Sequence, residues 1–141
     1  MRLETREDLV AIRKILQKNY AAEVKRVIVC GGIGCVSGGS MDILDRIKHL
    51  LVEKGVPCEV EVGYDLEDDN PKVGVKRSGC QGFCELGPLV RFEPQGWLYT
   101  KVKPEDCNEI VEKTIIGGQL IPHLTYKRDG VSYPSLSEIP F

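Results

Sequence analysis

Four of the six cysteines stand in two glycine-rich stretches, and these are the residues best equipped for chemistry. Cys30 and Cys35 bound the stretch CGGIGC (30–35), and Cys80 and Cys84 lie within GCQGFCELGP (79–88). Clustered thiols ligate metals or exchange disulfides, because the thiolate is a soft anionic donor and a nucleophile. Four thiolates on two loops match the demand of a [2Fe–2S] cluster, which takes two per iron. Bridging sulfides also accept hydrogen bonds, so backbone N–H groups must come close. Gly31, Gly32, Gly34, Gly79 and Gly82 permit that approach because no side chain stands in the way.

Three other chemistries compete for the same residues. Structural zinc also uses four cysteines, but usually on tight C-x2–4-C knuckles. A thiol–disulfide enzyme carries C-x-x-C at a helix start, and neither pair here has that spacing. The stretch GIGCVSG (32–38) imitates a dinucleotide-binding turn. Its third glycine comes one residue late, and cysteines occupy the would-be phosphate loop. The cluster reading is therefore favoured over all three. Cys58 and Cys107 read as small buried hydrophobes. His49 and His123 are isolated and read as ordinary surface or packed histidines.

The elements that must position these loops are legible from periodicity. Residues 24–29 (VKRVIV) form a nearly continuous apolar run, as expected of a buried strand that ends at Cys30. Residues 72–77 (KVGVKR) make a second strand leading into the second loop. Residues 89–92 and 97–102 read as a hairpin around Pro94-Gln95-Gly96. Before the first strand, residues 5–20 form an amphipathic helix. Thr5 and Asp8 make a capping box, and Leu9, Ile12, Leu16 and Tyr20 share one face. Ser40 is expected to cap a second helix with Leu44, Ile47 and Leu51 inward, stopped at Gly55. Residues 56–62 are a strand or extended connector, and 65–70 (DLEDDN) a polar loop. Pro104 opens a third helix with Glu105 and Asp106 in its first turn, ended by Gly117-Gly118. Asp129-Gly130 suggests a small hairpin in the tail.

A βαβ unit followed by a hairpin and a helix is the thioredoxin-like α/β order, here with an extra N-terminal helix. A right-handed crossover would bring the two cysteine loops to neighbouring strand ends. The expected division is an N-terminal helix (1–23), a thioredoxin-like domain (24–122) and a tail or linker (123–141). With 141 residues and a net charge of −2, the chain suits one domain, and its charge gives no reason to propose nucleic acid as a partner. It has no apolar run long enough to span a membrane and no signal-peptide pattern, so a cytoplasmic location is expected. In that compartment clustered cysteines bind metal or do redox chemistry rather than form a disulfide framework.

The motifs resemble a known family, the thioredoxin-like [2Fe–2S] ferredoxins. Within it they are most similar to the N-terminal domain of the NADH-binding flavoprotein subunit of electron-bifurcating iron-only hydrogenases and complex I-like oxidoreductases. The resemblance rests on VCGGIGC (29–35) and SGCQGFCELGPLV (78–90), and continues through VKPED (102–106), EIVEK (109–113) and GGQLIP (117–122). Ser78 stands where the family usually has threonine. The resemblance implies that Cys30, Cys35, Cys80 and Cys84 hold the cluster. It implies a one-electron carrier with no catalytic residue of its own, an electron-transfer module rather than a complete enzyme. FMN and NADH would belong to a downstream domain or a partner, towards which the tail leads. The implied partners are a flavoprotein domain and the iron–sulfur subunits of an oxidoreductase complex. A homodimer is a further candidate association. All-cysteine ligation implies a low potential, on the order of −400 mV. Phe83, Leu86, Leu89 and Ile33 are the candidates to shield the cluster.

Overall fold

The computed structural model describes residues 2–59 and 70–140. Helix α1 (Arg6–Ala22) starts at the expected capping box: Asp8 N–H donates to Thr5 Oγ1 at 3.1 Å, and Thr5 N–H returns to Asp8 Oδ2 at 2.9 Å. Backbone N–H groups of Glu4 and Thr5 on the Asp8 carboxylate hold its pKa below the usual range. Yet only Asn19 and Ala22 of this helix are buried. Leu9 and Tyr20 are 56% and 59% exposed, so the apolar stripe is present but faces outward at both ends.

Strand β1 (Glu23–Cys30) follows directly, then a five-residue helix α2 (Ile33–Ser37), α3 (Ser40–Glu53) and a short β2 (Cys58–Glu59). The expectation that Ser40 caps α3 is corrected. Gly39 takes the cap position at φ 92°, a left-handed turn that glycine makes cheaply, and Ser40 is the first helical residue, fully buried. The inward face of α3 is as expected, with Leu44, Ile47 and Leu51 buried and Ile43 joining them. Of the 56–62 run, 58–59 is strand and 56–57 is not; 60–62, and all of the expected acidic loop but Asn70, lie outside the described residues.

The other strands are β3 (Lys72–Ser78), β4 (Val90–Glu93) and β5 (Trp97–Tyr99). They make one sheet in the order β2-β3-β1-β4-β5. Strand β1 is central, parallel to β3 and antiparallel to β4. Cys30 pairs with Ser78 in the β1–β3 register. Both cysteine loops therefore leave the same end of the sheet from adjacent parallel strands, as the topology argument required.

One core holds Val27, Val29 and Val75 of the sheet against Ile43, Ile47 and Leu51 of α3 and Ile110 and Val111 of the helical segment that begins at Pro104. That segment is less regular than expected. A 3-10 turn (Pro104–Asp106) leads into α4 (Cys107–Glu109), which widens into a π-helix (Ile110–Ile116) before Gly117. A buried chain of hydrogen bonds ties it to β5. Ile121 N–H donates to the Tyr99 hydroxyl (2.9 Å), which lies 2.6 Å from Thr114 Oγ1, and Thr114 Oγ1 donates to Gln119 O (3.0 Å). Burial raises the Tyr99 pKa. Removing that hydroxyl leaves the buried Ile121 N–H without a partner. Tyr99→Phe is accordingly expected to cost about 1–3 kcal/mol in chemical denaturation, with the fold retained. No measurable loss would show that the network is not holding this segment.

The tail is packed. Its hairpin pairs β6 (Tyr126–Arg128) with β7 (Val131–Tyr133). Two further bonds, Thr100 N–H to Leu124 O (2.8 Å) and Leu98 N–H to Pro134 O (2.9 Å), lay it along β5, whose edge is thereby covered.

Candidate metal centre

The site is built where two loops leave β1 and β3. Cys30 is the last residue of β1 and Cys35 lies in α2; both are buried, at 1% and 2% exposure. Cys80 and Cys84 are exposed, the latter opening a 3-10 turn (Cys84–Leu86). Beneath them is a second apolar cluster of Cys30, Cys35, Leu89, Leu98 and Ile139, with Phe83 and Leu86 packed against it. Three of the expected shielding residues, Phe83, Leu86 and Leu89, are thus in place. Ile33 is not: it is 88% exposed and belongs to neither core cluster. It sits at the first position of a one-and-a-half-turn helix whose inward face is spent on Cys35.

The two loops pack against each other through glycines. A Cβ on Gly32 would lie 3.0 Å from Cys80 Cβ and 3.4 Å from its sulfur. One on Gly34 would lie 3.3 Å from Cys84 Cβ, and one on Gly87 only 2.6 Å from Cys35 Sγ. A Cβ on Gly31 would collide with the Arg77 side chain, whose Nη2 donates to Gly31 O at 3.4 Å. Gly79 and Gly82 have nothing within 4 Å of such a carbon, although Gly82 has φ 87°. The role of close approach therefore belongs to Gly31, Gly32, Gly34 and Gly87. Gly87 was not among the expected ones, since a glycine before Pro88 reads as turn punctuation.

The sulfurs come as two pairs. Cys80 Sγ and Cys84 Sγ are 3.6 Å apart; Cys30 Sγ donates to Gly79 O at 3.6 Å, and the Cys30 and Cys35 thiols lie close enough to shift each other's pKa. Across the pairs, Cys84 interacts electrostatically with both Cys30 and Cys35. Among the described residues no three His, Cys, Asp or Glu side chains gather as a ready single-ion site. Burial acts against the Cys30 thiolate, but backbone N–H groups of Gly32 and Gln81 and the Cys35 thiol outweigh it and lower its pKa. Burial and the Cys30 thiol push Cys35 up to about 11. Cys84 is raised too, first by its bond to Cys80 and by that thiol's charge. Four thiolates brought this close would repel one another, and bound metal cations would relieve that repulsion. Gly82 N–H donates to Cys80 Sγ at 3.4 Å, the kind of backbone contact that sulfur in a cluster site needs. The residues present fit two irons shared by two sulfur pairs.

Cys107 lies elsewhere, wholly buried in the main core, its thiol pushed up to about 11 by burial. Cys58 is half-buried on β2. His49 and His123 are exposed, His123 Nε2 lying 3.5 Å from Glu109 Oε2. None of these four joins the thiols at the sheet end.

A mixed sheet with helices, carrying two thiol pairs at the ends of adjacent parallel strands, defines a thioredoxin-like iron–sulfur domain. Comparison with known proteins gives the family. A 2Fe-2S ferredoxin of Clostridium pasteurianum is 38% identical over 90 residues, 64% of this chain and 76% of that protein. A 2Fe-2S ferredoxin of Aquifex aeolicus is 43% identical over 51 residues, a match spanning 36% of this chain and 46% of the relative. The crystal structure of the thioredoxin-like [2Fe–2S] ferredoxin from Aquifex aeolicus superposes with a TM-score of 0.57 at 27% identity, over 75% of this chain and 99% of that one. The chain belongs to the thioredoxin-like [2Fe–2S] ferredoxins, electron carriers built around that cluster. No protein-family model matches it. An NAD+-reducing [NiFe]-hydrogenase shares the fold alone, with a TM-score of 0.55 at 8% identity over 82% of this chain and 20% of the hydrogenase chain. Among the described residues no helix is long and apolar enough to cross a membrane.

Proposed function

We propose that Cys30, Cys35, Cys80 and Cys84 are the four ligands of the cluster, and that the chain relays single electrons within an NADH-linked oxidoreductase or hydrogenase assembly. The observation that carries the ligand set is the meeting of the two loops, with Gly32 against Cys80, Gly34 against Cys84 and Gly87 against Cys35. When bound, the cluster supplies one-electron chemistry between its 2+ and 1+ states. The chain's own residues do the rest. The thiolates hold the irons, and N–H groups of Gly32, Gln81 and Gly82 favour negative charge on sulfur. Leu89 and Phe83 keep water from the buried side, while exposed Cys80 and Cys84 leave the other side open to a redox partner.

This assembly is supported by the motif resemblance and by the shared fold with a hydrogenase chain. NADH gives a hydride and a cluster takes one electron, so a flavin must stand between them. In this reading the flavin and its NADH site lie in a separate domain or subunit. Mixed anaerobically with NADH alone, the holoprotein is expected to keep its oxidised visible spectrum, and dithionite to bleach it. Adding an NADH-oxidising flavoprotein restores bleaching by NADH. Prompt reduction by NADH without any flavin would overturn this division of labour.

A further inference from the structure

A basic opening lies behind the turn that carries Cys84. A cavity of about 390 Å³ is lined by Leu86, Lys101, Lys103, His123, Lys127 and Asp106, among others. It is stitched to the second cysteine loop by two backbone bonds, Lys101 N–H to Leu86 O (2.7 Å) and Val102 N–H to Pro88 O (3.1 Å). All three lysines are exposed. Among the described residues none of their ammonium groups has an ion-pair partner, whereas neighbouring Lys113, His123 and Arg128 each have one. Acids stand around the cavity too: Glu109 lies 3.5 Å from His123 and 2.7 Å from Lys113, Asp129 lies 3.8 Å from Arg128, and Glu105 is next to Asp106 in the chain. Asp106 is engaged by Lys103 N–H at 2.8 Å, and Glu85 stands beside Cys84. Lys101 also holds φ 50°, a backbone state that glycine or asparagine adopts more readily. The cavity lining itself carries three lysines against one acid, Asp106, next to the metal-binding loop of a protein of net charge −2.

We infer that Lys101, Lys103 and Lys127 form the docking surface for the acidic face of a redox partner protein, placing its cofactor beside the Cys80–Cys84 loop. The inference deepens the electron-carrier reading and rests on it. The lysines act on encounter and orientation, because complementary charge raises association rates, and salt screens the effect. They touch no reacting atom.

The test uses the reduced holoprotein in stopped-flow mixing with two protein oxidants: a flavodoxin, which is acidic, and a cytochrome c, which is basic. The triple variant Lys101→Glu, Lys103→Glu, Lys127→Glu is compared with a control of equal charge change on α1, Arg6→Glu, Arg13→Glu, Lys14→Glu. Cluster absorption and EPR confirm that each variant is loaded. At low salt the groove variant is expected to reduce flavodoxin at least tenfold more slowly than wild type, and cytochrome c no more slowly. The control stays within about threefold for both, and high salt removes the difference. Equal slowing by both triple variants would mean that net charge alone decides, and would overturn the surface. So would an unchanged flavodoxin rate in the groove variant. A wild-type protein with no reducible cluster would overturn the carrier reading itself and the docking surface with it.

Discussion

Cys30→Ala, Cys35→Ala, Cys80→Ala and Cys84→Ala are each expected to abolish or cripple the cluster, whereas Cys58→Ala and Cys107→Ala are expected to keep it. On the proposed ligand set, each of the first four removes one of four thiolates, two of which would serve each iron. The remaining three leave one iron with an open position. Iron content and visible absorption per chain report the loss. The two losses inside the apolar cluster, at Cys30 and Cys35, also leave small voids, so denaturation of the metal-free variants beside metal-free wild type separates lost packing from lost ligation. Cys107 sits in the main core among Ile110, Val111 and Ile47. Its replacement costs about 1 kcal/mol of packing and no iron. Loss of the cluster in Cys58→Ala, with retention in any one of the first four, would show the ligand set to be wrong.

Gly87→Ala is expected to be nearly as damaging, although it removes no ligand. The added carbon would lie 2.6 Å from Cys35 Sγ, 3.6 Å from Cys35 Cα and 3.4 Å from Cys84 O. Carbon and sulfur cannot share that distance, and Cys35 is buried against Leu89 with little room to retreat. Either the sulfur moves off its ligating position or the loop of Cys84 lifts away. Iron occupancy should fall several-fold at comparable expression. Gly79→Ala is the matched control. Its Cβ meets nothing within 4 Å and its φ lies outside the left-handed region, so it should load normally. A Gly87→Ala protein that loads like wild type would mean that the two loops are not packed as tightly as the glycine contacts require.

Much of the site was legible because its signals are local. β-branched runs ending at Cys30 and near Ser78 mark strands, and glycines crowd the two turns where backbone must approach sulfur. Parallel pairing of those strands followed from the helix between them, and the Cys30–Ser78 register bears it out. What the sequence did not show was long-range. Gly87 matters through Cys35, a contact no window of sequence contains. The helix α2 is too short for a hydrophobic period, so Ile33 read as a shield when it faces solvent. Ser40 has the residue type of a cap, but the left-handed turn at Gly39 already starts the helix, and Ser40 is drawn into the core. The periodicity of α1 revealed an apolar stripe and not what, if anything, covers it; in this chain Leu9 and Tyr20 remain open. The π-widening before Gly117 is likewise invisible to period counting, since it arises where Thr114 is held by Tyr99 and Gln119.

The most direct measurement is metal, sulfide and spin on protein purified without air. The account requires a red-brown protein with about two iron and two acid-labile sulfide per chain. On dithionite reduction it should give an S = ½ EPR signal integrating to about one spin per cluster. A colourless protein holding one zinc per chain, or a metal-free protein with a reversible Cys30–Cys35 or Cys80–Cys84 disulfide, would contradict it.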